Sequence, residues 1–284
     1  MITKISTLID REVQTSDTLV YRKDLPKNLK ISAIDIGFRF TNGATLAANK
    51  DALDIINHLS LLINGSQYRF RLTGKDCYKY NALREGKFMH TNFIDTVSVT
   101  PEFWLRMPFG RFVGDPSFGL DTSKYDNTQI EIDYALSNYG TVGTHIITGT
   151  LAITILLHTF MPDQQPSFSG MISASEFWTG TTVASRNNLV DIPSQNPITR
   201  LIVSCCEDGI EDAVDITDIK LGRNNLENVY LQGKWYNLQT EQRARNGLYT
   251  EKYVCSPTAG CTLTSHIGNI KRVTATPNLI TAVT

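Results

Sequence analysis

The 284 residues carry a formal net charge of −1 with 41% apolar and 19% charged side chains, enough chain for one large or two ordinary domains, each with a substantial core. Near neutrality without a basic tail or Lys/Arg cluster leaves nothing to neutralise nucleic-acid phosphates, and no apolar stretch is long enough to cross a bilayer. The five cysteines, Cys77, Cys205, Cys206, Cys255 and Cys261, are odd in number and lack C-x-x-C spacing, so they form neither a disulfide framework nor a zinc site and are expected to be reduced, mostly buried thiols.

The start, MITKISTLIDREV, has no continuous apolar run behind its charge and does not read as a secretory signal. Ile2, Ile5, Ile9 and Val13 recur at helical spacing, which predicts a short amphipathic helix that docks on a neighbouring subunit or lies in a membrane surface; a first strand is the plainer alternative. In "ISAIDIGFRF" (31–40), Ile34, Ile36, Phe38 and Phe40 alternate onto one strand face. "LLINGSQYRFRL" (61–72) reads as a hairpin, because Asn64-Gly65 tolerates positive φ at both centres of a type I′ turn. The sequon Asn64-Gly65-Ser66 is fully explained by that turn. "KDCYKYNALREG" (75–86) predicts a short helix closed by Gly86.

"IDTVSV" (94–99) and "QIEIDYAL" (129–136) read as strands, and 145–158 as one or two fully buried ones. Between them, "PEFWLRMPFGRF" (101–112) places Phe103, Trp104, Phe109 and Phe112 in what reads as a Pro- and Gly-broken loop, buried in the core or in an interface. "SASEFWTG" (173–180) poses the same choice. Further strands are expected at 198–204, 214–221 and 226–231, with a second short helix in "YNLQTEQRARNG" (236–247). So many short strands indicate an all-β sandwich or barrel.

Part of the chain recurs. Residues 51–86 and 212–247 share Asp-Ala-x-Asp-Ile at 51–55 and 212–216, Asn64 against Asn225, after a two-residue slip Leu72, Gly74 and Lys75 against Leu231, Gly233 and Lys234, and Arg84 and Gly86 against Arg245 and Gly247. A strand precedes each copy. The series predicts two related β units.

The stretches "DIGFRF", "DALDIINHLSLLING" and "LTGKDCYKYN", with 199–248 as a second half, resemble the double jelly-roll major capsid proteins of tailless, membrane-containing icosahedral viruses of bacteria and archaea. The resemblance implies two side-by-side eight-stranded jelly-roll β-sandwiches with a few short helices. The corresponding division is an N-terminal arm 1–28, a first roll 29–161, a linker 162–170 and a second roll 171–284. It implies a homotrimer with pseudo-hexagonal outline that contacts neighbouring capsomers, minor capsid or vertex proteins and the lipid of an internal membrane. It also implies a place in the virion capsid after synthesis in host cytoplasm, and no direct contact with nucleic acid. Only 37 residues follow Gly247, which leaves the second roll short of closing strands.

Catalytic and metal signatures are lacking. No G-x-S-x-G, H-E-x-x-H, phosphate-binding loop or dinucleotide fingerprint occurs, so no enzyme activity, cofactor or metal is expected. His58, His90, His145, His158 and His266 are scattered, and His145 and His158 read as structural. Glu131 and Asp133 share a strand face, which suits a glycosidase pair or calcium but better an ordinary solvated strand. The acidic "CEDGIEDAVD" (206–215) offers calcium-type oxygens without EF-hand spacing. The alternatives to a shell subunit are a receptor- or carbohydrate-binding β-sandwich of a virion and a jelly-roll carbohydrate-active enzyme; either calls for an aromatic platform beside clustered polar groups on one unit.

Overall fold

The computed structural model describes residues 2–45, 52–86, 89–92, 97–163, 165–180, 189–192, 197–203, 217–223, 226–234, 237–238, 241, 250–253, 261–263, 273–275 and 280–283. The chain divides into two compact units, Met1–Glu176 and Phe177–Thr284.

The first unit is built from β1 (Thr3–Val13), β2 (Thr18–Asp24), β3 (Lys30–Arg39), β4 (Ile56–Ile63), β5 (Gln67–Leu72), α1 (Gly74–Glu85), β6 (Thr91–Asn92), β7 (Glu102–Pro108), β8 (Leu120–Asp121), β9 (Thr128–Ala135), β10 (Ala152–Phe160) and β11 (Ala174–Ser175). One sheet runs β1-β10-β3-β7-β6, with β8 on the end of β3; the other runs β11-β5-β4-β9-β2. Strand pairs 1·10, 2·9, 3·7 and 4·5 are antiparallel and nested, as when one long hairpin is rolled into two facing sheets. That order is an eight-stranded jelly roll. The all-β class expected from the sequence therefore holds.

Residue alternation builds the core between the sheets. Ile34, Ile36 and Phe38 of β3 lie in register with Met107, Leu105 and Phe103 of β7 and with Leu157, Ile155 and Ile153 of β10, all buried. Ile130 and Ile132 of β9 and Leu59 and Leu61 of β4 are buried likewise in the facing sheet. The Asn64-Gly65 turn forms as expected, with φ of 51° and 72° and the Ser66 N–H donating to the Ile63 carbonyl.

Helix α1 also forms where the sequence predicts it. Thr73 caps its start by accepting from the Asp76 N–H, and Gly86 ends it at φ 68°. The helix is buried on most of its surface and packs on β4, β5 and β7. Its start requires glycine, since a Cβ on Gly74 would run into the Leu53 carbonyl. The buried Asn81 amide then accepts from the Arg106 N–H and donates to the Arg106 carbonyl, both at 2.8 Å, and so pairs β7 as another strand would.

Several expectations are corrected. The helical spacing of Ile2, Ile5, Ile9 and Val13 is coincidental: residues 3–13 are strand β1, which pairs along one side with β10, and residues 1–28 supply two strands of the roll. Residues 102–108 are strand β7 because Phe103, Leu105 and Met107 alternate inward against Glu102, Trp104 and Arg106. In the expected strand 94–99, the described residues 97–98 form a turn with Ser98 at φ 61°. Ala52–Ile55 is a 3-10 helix leading into β4. No strand lies in 198–203. The acidic loop 206–215 lies outside the described residues, as do Cys205, Cys206, Cys255 and His266.

In the second unit the described strands form three antiparallel pairs: β12 (Asp218–Arg223) with β13 (Asn228–Lys234), β14 (Thr250–Tyr253) with β17 (Ile280–Val283), and β15 (Cys261–Leu263) with β16 (Val273–Ala275). The β12–β13 hairpin repeats the bulge of β4–β5, although three residues separate the closing pair Ile63–Gln67 and four separate Arg223–Asn228. In the first, Leu61 opposes Phe70 and Leu62 opposes Tyr68, so Arg69 is bulged; in the second, Leu221 opposes Leu231 and Gly222 opposes Val229, so Tyr230 is bulged. Both bulges fall on the same rung, one pair short of the rung that closes the turn. Residues 237–238 and 241 then have helical backbone, where α1 follows in the first copy. The shared Leu-x-Gly-Lys is not equivalent, since Gly74 opens a helix while Gly233 pairs with Ile219 inside the hairpin.

Asn81→Ala removes both partners of the Arg106 backbone. It is expected to destabilise the first unit by about 2–4 kcal/mol in urea unfolding, the cost of two buried unpaired groups; a loss under about 1 kcal/mol would show that water replaces the amide.

Candidate functional site

A jelly roll whose interior is filled by side chains has its surface left for function. Two regions of the first unit stand out: the polar outer face of the β1-β10-β3-β7 sheet, and the side where β1 and β2 form the sheet edges.

On the outer face, Asp35 of β3 lies in register with Arg106 of β7, and the two make a forked ion pair, Nε to Oδ1 at 2.6 Å and an Nη to Oδ2 at 2.8 Å. His158 Nε2 of β10 lies 2.8 Å from Asp35 Oδ2, and Glu85 at the end of α1 approaches the Arg106 guanidinium at 3.7 Å. Asp35 and His158 are buried. Burial pushes the Asp35 carboxyl up, but hydrogen bonds from Arg106 and His158 outweigh it and hold it below its ordinary value. Both Asp35 oxygens are engaged, so the cluster locks three strands and a helix together. His158 is the structural histidine expected.

The outer face of the second sheet carries a similar arrangement. Glu131 is buried beneath Arg22 and Tyr68, accepting from Arg22 Nε at 2.9 Å and from the Tyr68 hydroxyl at 3.1 Å. Asp133 accepts from Asn57 at 3.1 Å. The two carboxylates share a face as the alternation indicates, but Glu131 is not solvated, because Arg22 of the neighbouring β2 and Tyr68 of β5, one strand beyond β4, close over it. Among the described residues no cluster of His, Cys, Asp or Glu has the arrangement of a metal site. His145 accepts the Thr141 N–H inside a turn. Cys77 is buried, and burial drives its thiol pKa up, which leaves it unreactive.

The expected aromatic group separates. Phe103 and Phe109 are core, and Phe103 stacks on Phe38. Trp104 lies half-buried on the outer sheet face, and Phe112 is 55% exposed on a loop held by Asp115, which accepts from the Arg111 and Ser117 N–H groups. The expected N-terminal group separates too. Ile2, Ile5 and Val13 are 64%, 62% and 56% exposed, while Ile9 is half-buried opposite Ile155. The adjoining Leu19 and Val20 of edge strand β2 are exposed as well. Apolar side chains along two sheet edges mark a surface suited to association.

No protein-family model and no curated protein matches the chain. Solved structures do match over a little more than half of it. The major capsid protein of Sulfolobus turreted icosahedral virus aligns with 56% of this chain and 48% of its own at 13% identity and a TM-score of 0.42. The major capsid protein P2 of bacteriophage PM2 aligns with 56% and 51% at 10% identity and 0.37, and the PBCV-1 virus capsid with 58% and 44% at 15% and 0.40. The chain thus spans about half the length of the structures it matches. They are capsid proteins, the kind the sequence resembles; the jelly-roll assignment itself rests on the strand order of the first unit.

Asp35→Asn strands the Arg106 charge in a buried site and is expected to cost about 3–5 kcal/mol at neutral pH. The Asp35 pKa is lowered on folding, so its contribution is present above the unfolded value of about 4 and fades as pH falls through the folded one. Urea unfolding between neutral and strongly acid pH is therefore expected to show the gap between wild type and variant closing below about pH 4; a gap that stays constant there would remove Asp35 from the acid response.

Proposed function

We propose that the chain is a structural subunit of a viral capsid, with the second unit, from Phe177 onward, forming a second eight-stranded roll. In this reading, three copies form a capsomer of six rolls, and such capsomers tile an icosahedral shell over an internal membrane. The observation that carries the reading is the recurrence, about 160 residues later, of a hairpin with the same bulge on the same rung. Duplicated jelly rolls give a subunit two equivalent building blocks, and three such subunits approximate sixfold symmetry with threefold contacts. The sequence resemblance supports the same reading.

Assembly then works through edges rather than through a catalytic cleft. Each contact is weak, and the closed lattice is stable because every subunit is held at several places at once. The exposed apolar residues of β1 and β2 are assigned to such contacts with a neighbouring subunit or with membrane lipid. The near-neutral charge agrees with a shell protein that leaves the genome to other components.

The mass in solution tests this. Light scattering is expected to give about three times the 31.7 kDa chain mass. Ile5→Lys combined with Val13→Lys is expected to yield monomers that still unfold cooperatively, since neither side chain is in the core, with an unfolding temperature lowered only by the lost association. Wild type that stays monomeric at the highest attainable concentration would overturn the proposal.

A further inference from the structure

The outer face of the first roll holds a small pocket of about 180 Å³ that neither the core nor the ion-pair cluster accounts for. Its wall is Trp104. The indole lies over Gly37 of β3, so close that a Cβ there would come within 2.8 Å of the ring. The indole N–H donates to Glu102 Oε1 at 2.8 Å, which fixes the ring plane. Only glycine at 37 lets the ring lie in this position.

The opposite wall is made by an irregularity of β1. Asp10 and Arg11 together oppose the single residue Thr154, and Arg11 adopts φ 48°, a left-handed conformation costly for an arginine. The bulge is held by the Arg11 N–H donating to Thr154 Oγ1 at 3.2 Å. It turns Asp10 and Arg11 toward the pocket that Trp104 closes from the other side. Arg39 completes the rim, opposite Glu102 in register. Among the described residues, the side chains of Asp10, Arg11 and Arg39 make no hydrogen bond or ion pair.

We propose that this pocket binds a single sugar ring of an uncharged glycan. An indole face is a platform for the C–H face of a pyranose. Two guanidinium donors and two carboxylate acceptors around one cavity match vicinal hydroxyls, each of which both donates and accepts. Their charges cancel, two positive against two negative, which disfavours a strongly charged ligand. The inference does not depend on the assembly reading, because the pocket lies wholly within the first unit.

The test uses the full chain with glucose, galactose, mannose and N-acetylglucosamine as separate probes. Saturation-transfer NMR and titration of the indole N–H resonances report binding. At least one sugar is expected to bind saturably with a dissociation constant on the order of millimolar. Trp104→Ala and Arg39→Ala are each expected to weaken it about tenfold or more. Arg39→Ala leaves the core untouched, so it carries the test if the tryptophan variant fails to fold. Absence of saturable binding by all four sugars, or binding that survives both substitutions, overturns the assignment. So does occupancy by N-acetylarginine amide in place of every sugar, which would make the pocket a socket for a basic side chain.

Discussion

Strand β3 is the member on which the first unit depends. It is buried on both faces, which for an antiparallel strand means that something other than solvent must cover its outward side. Its inward residues, Ile34, Ile36 and Phe38, fill the sandwich. Its outward residues are Ala33, Asp35 and Gly37, and two of these admit a large neighbour. Asp35 holds Arg106 and His158 from the flanking strands, and Gly37 makes room for the Trp104 ring. The same strand therefore sets the core, the polar lock and the pocket wall.

The lock and the helix are coupled through one residue. Arg106 sends its side chain to Asp35 and Glu85 while its backbone is paired by Asn81. Helix α1 thus covers the exposed side of β7 with hydrogen bonds of strand-like geometry. An uncovered run of backbone there would be a site for uncontrolled pairing. At the opposite end of the sheet, β1 has no second partner strand among the described residues, and its two register breaks, at Leu8 and at Asp10–Arg11, blunt it as a template. One sheet thus has one edge covered and one left open but irregular, a combination that permits specific contact while resisting continuous strand addition.

Much of this was legible in the sequence where a local rule decided the outcome. The Asn64-Gly65 turn, the helix ended by Gly86 and the alternation through 31–40 follow from φ preferences and period-two patterning. What was not legible depended on partners distant in sequence. Ile2, Ile5, Ile9 and Val13 satisfy a helical wheel, but an eleven-residue segment without tertiary contact is marginal as a helix, and β10, some 140 residues away, offers backbone pairing along its whole length. Phe103, Trp104 and Phe109 read as a broken loop because Pro101 and Pro108 dominate the local signal, although both prolines lie at strand limits where no ladder donor is needed. The burial of Glu131 depended on Arg22 and Tyr68, neighbours that only the strand order reveals. The pocket was partly legible in hindsight: Trp104 between two charged residues on an alternating strand, with a glycine in the middle of β3, signals an aromatic ring lying flat on a sheet.

The recurring hairpin ties these observations together. A bulge is a local event that the sequence does not spell out: at the rung, Leu62 stands against Gly222 and Tyr68 against Val229, pairs that differ in size, and yet the bulged residue, Arg69 or Tyr230, lies one pair short of the closing rung in both hairpins. A bulge sets the twist and register of everything beyond it and is costly to move. The irregular features of the two copies need not have been kept equally. The residues that make the pocket of the first roll, Trp104, Gly37 and the Asp10–Arg11 bulge, all lie outside the recurring segment 51–86. A hairpin held fixed for packing leaves the surface around it free to differ, and it is on that surrounding surface of the first unit that the pocket lies.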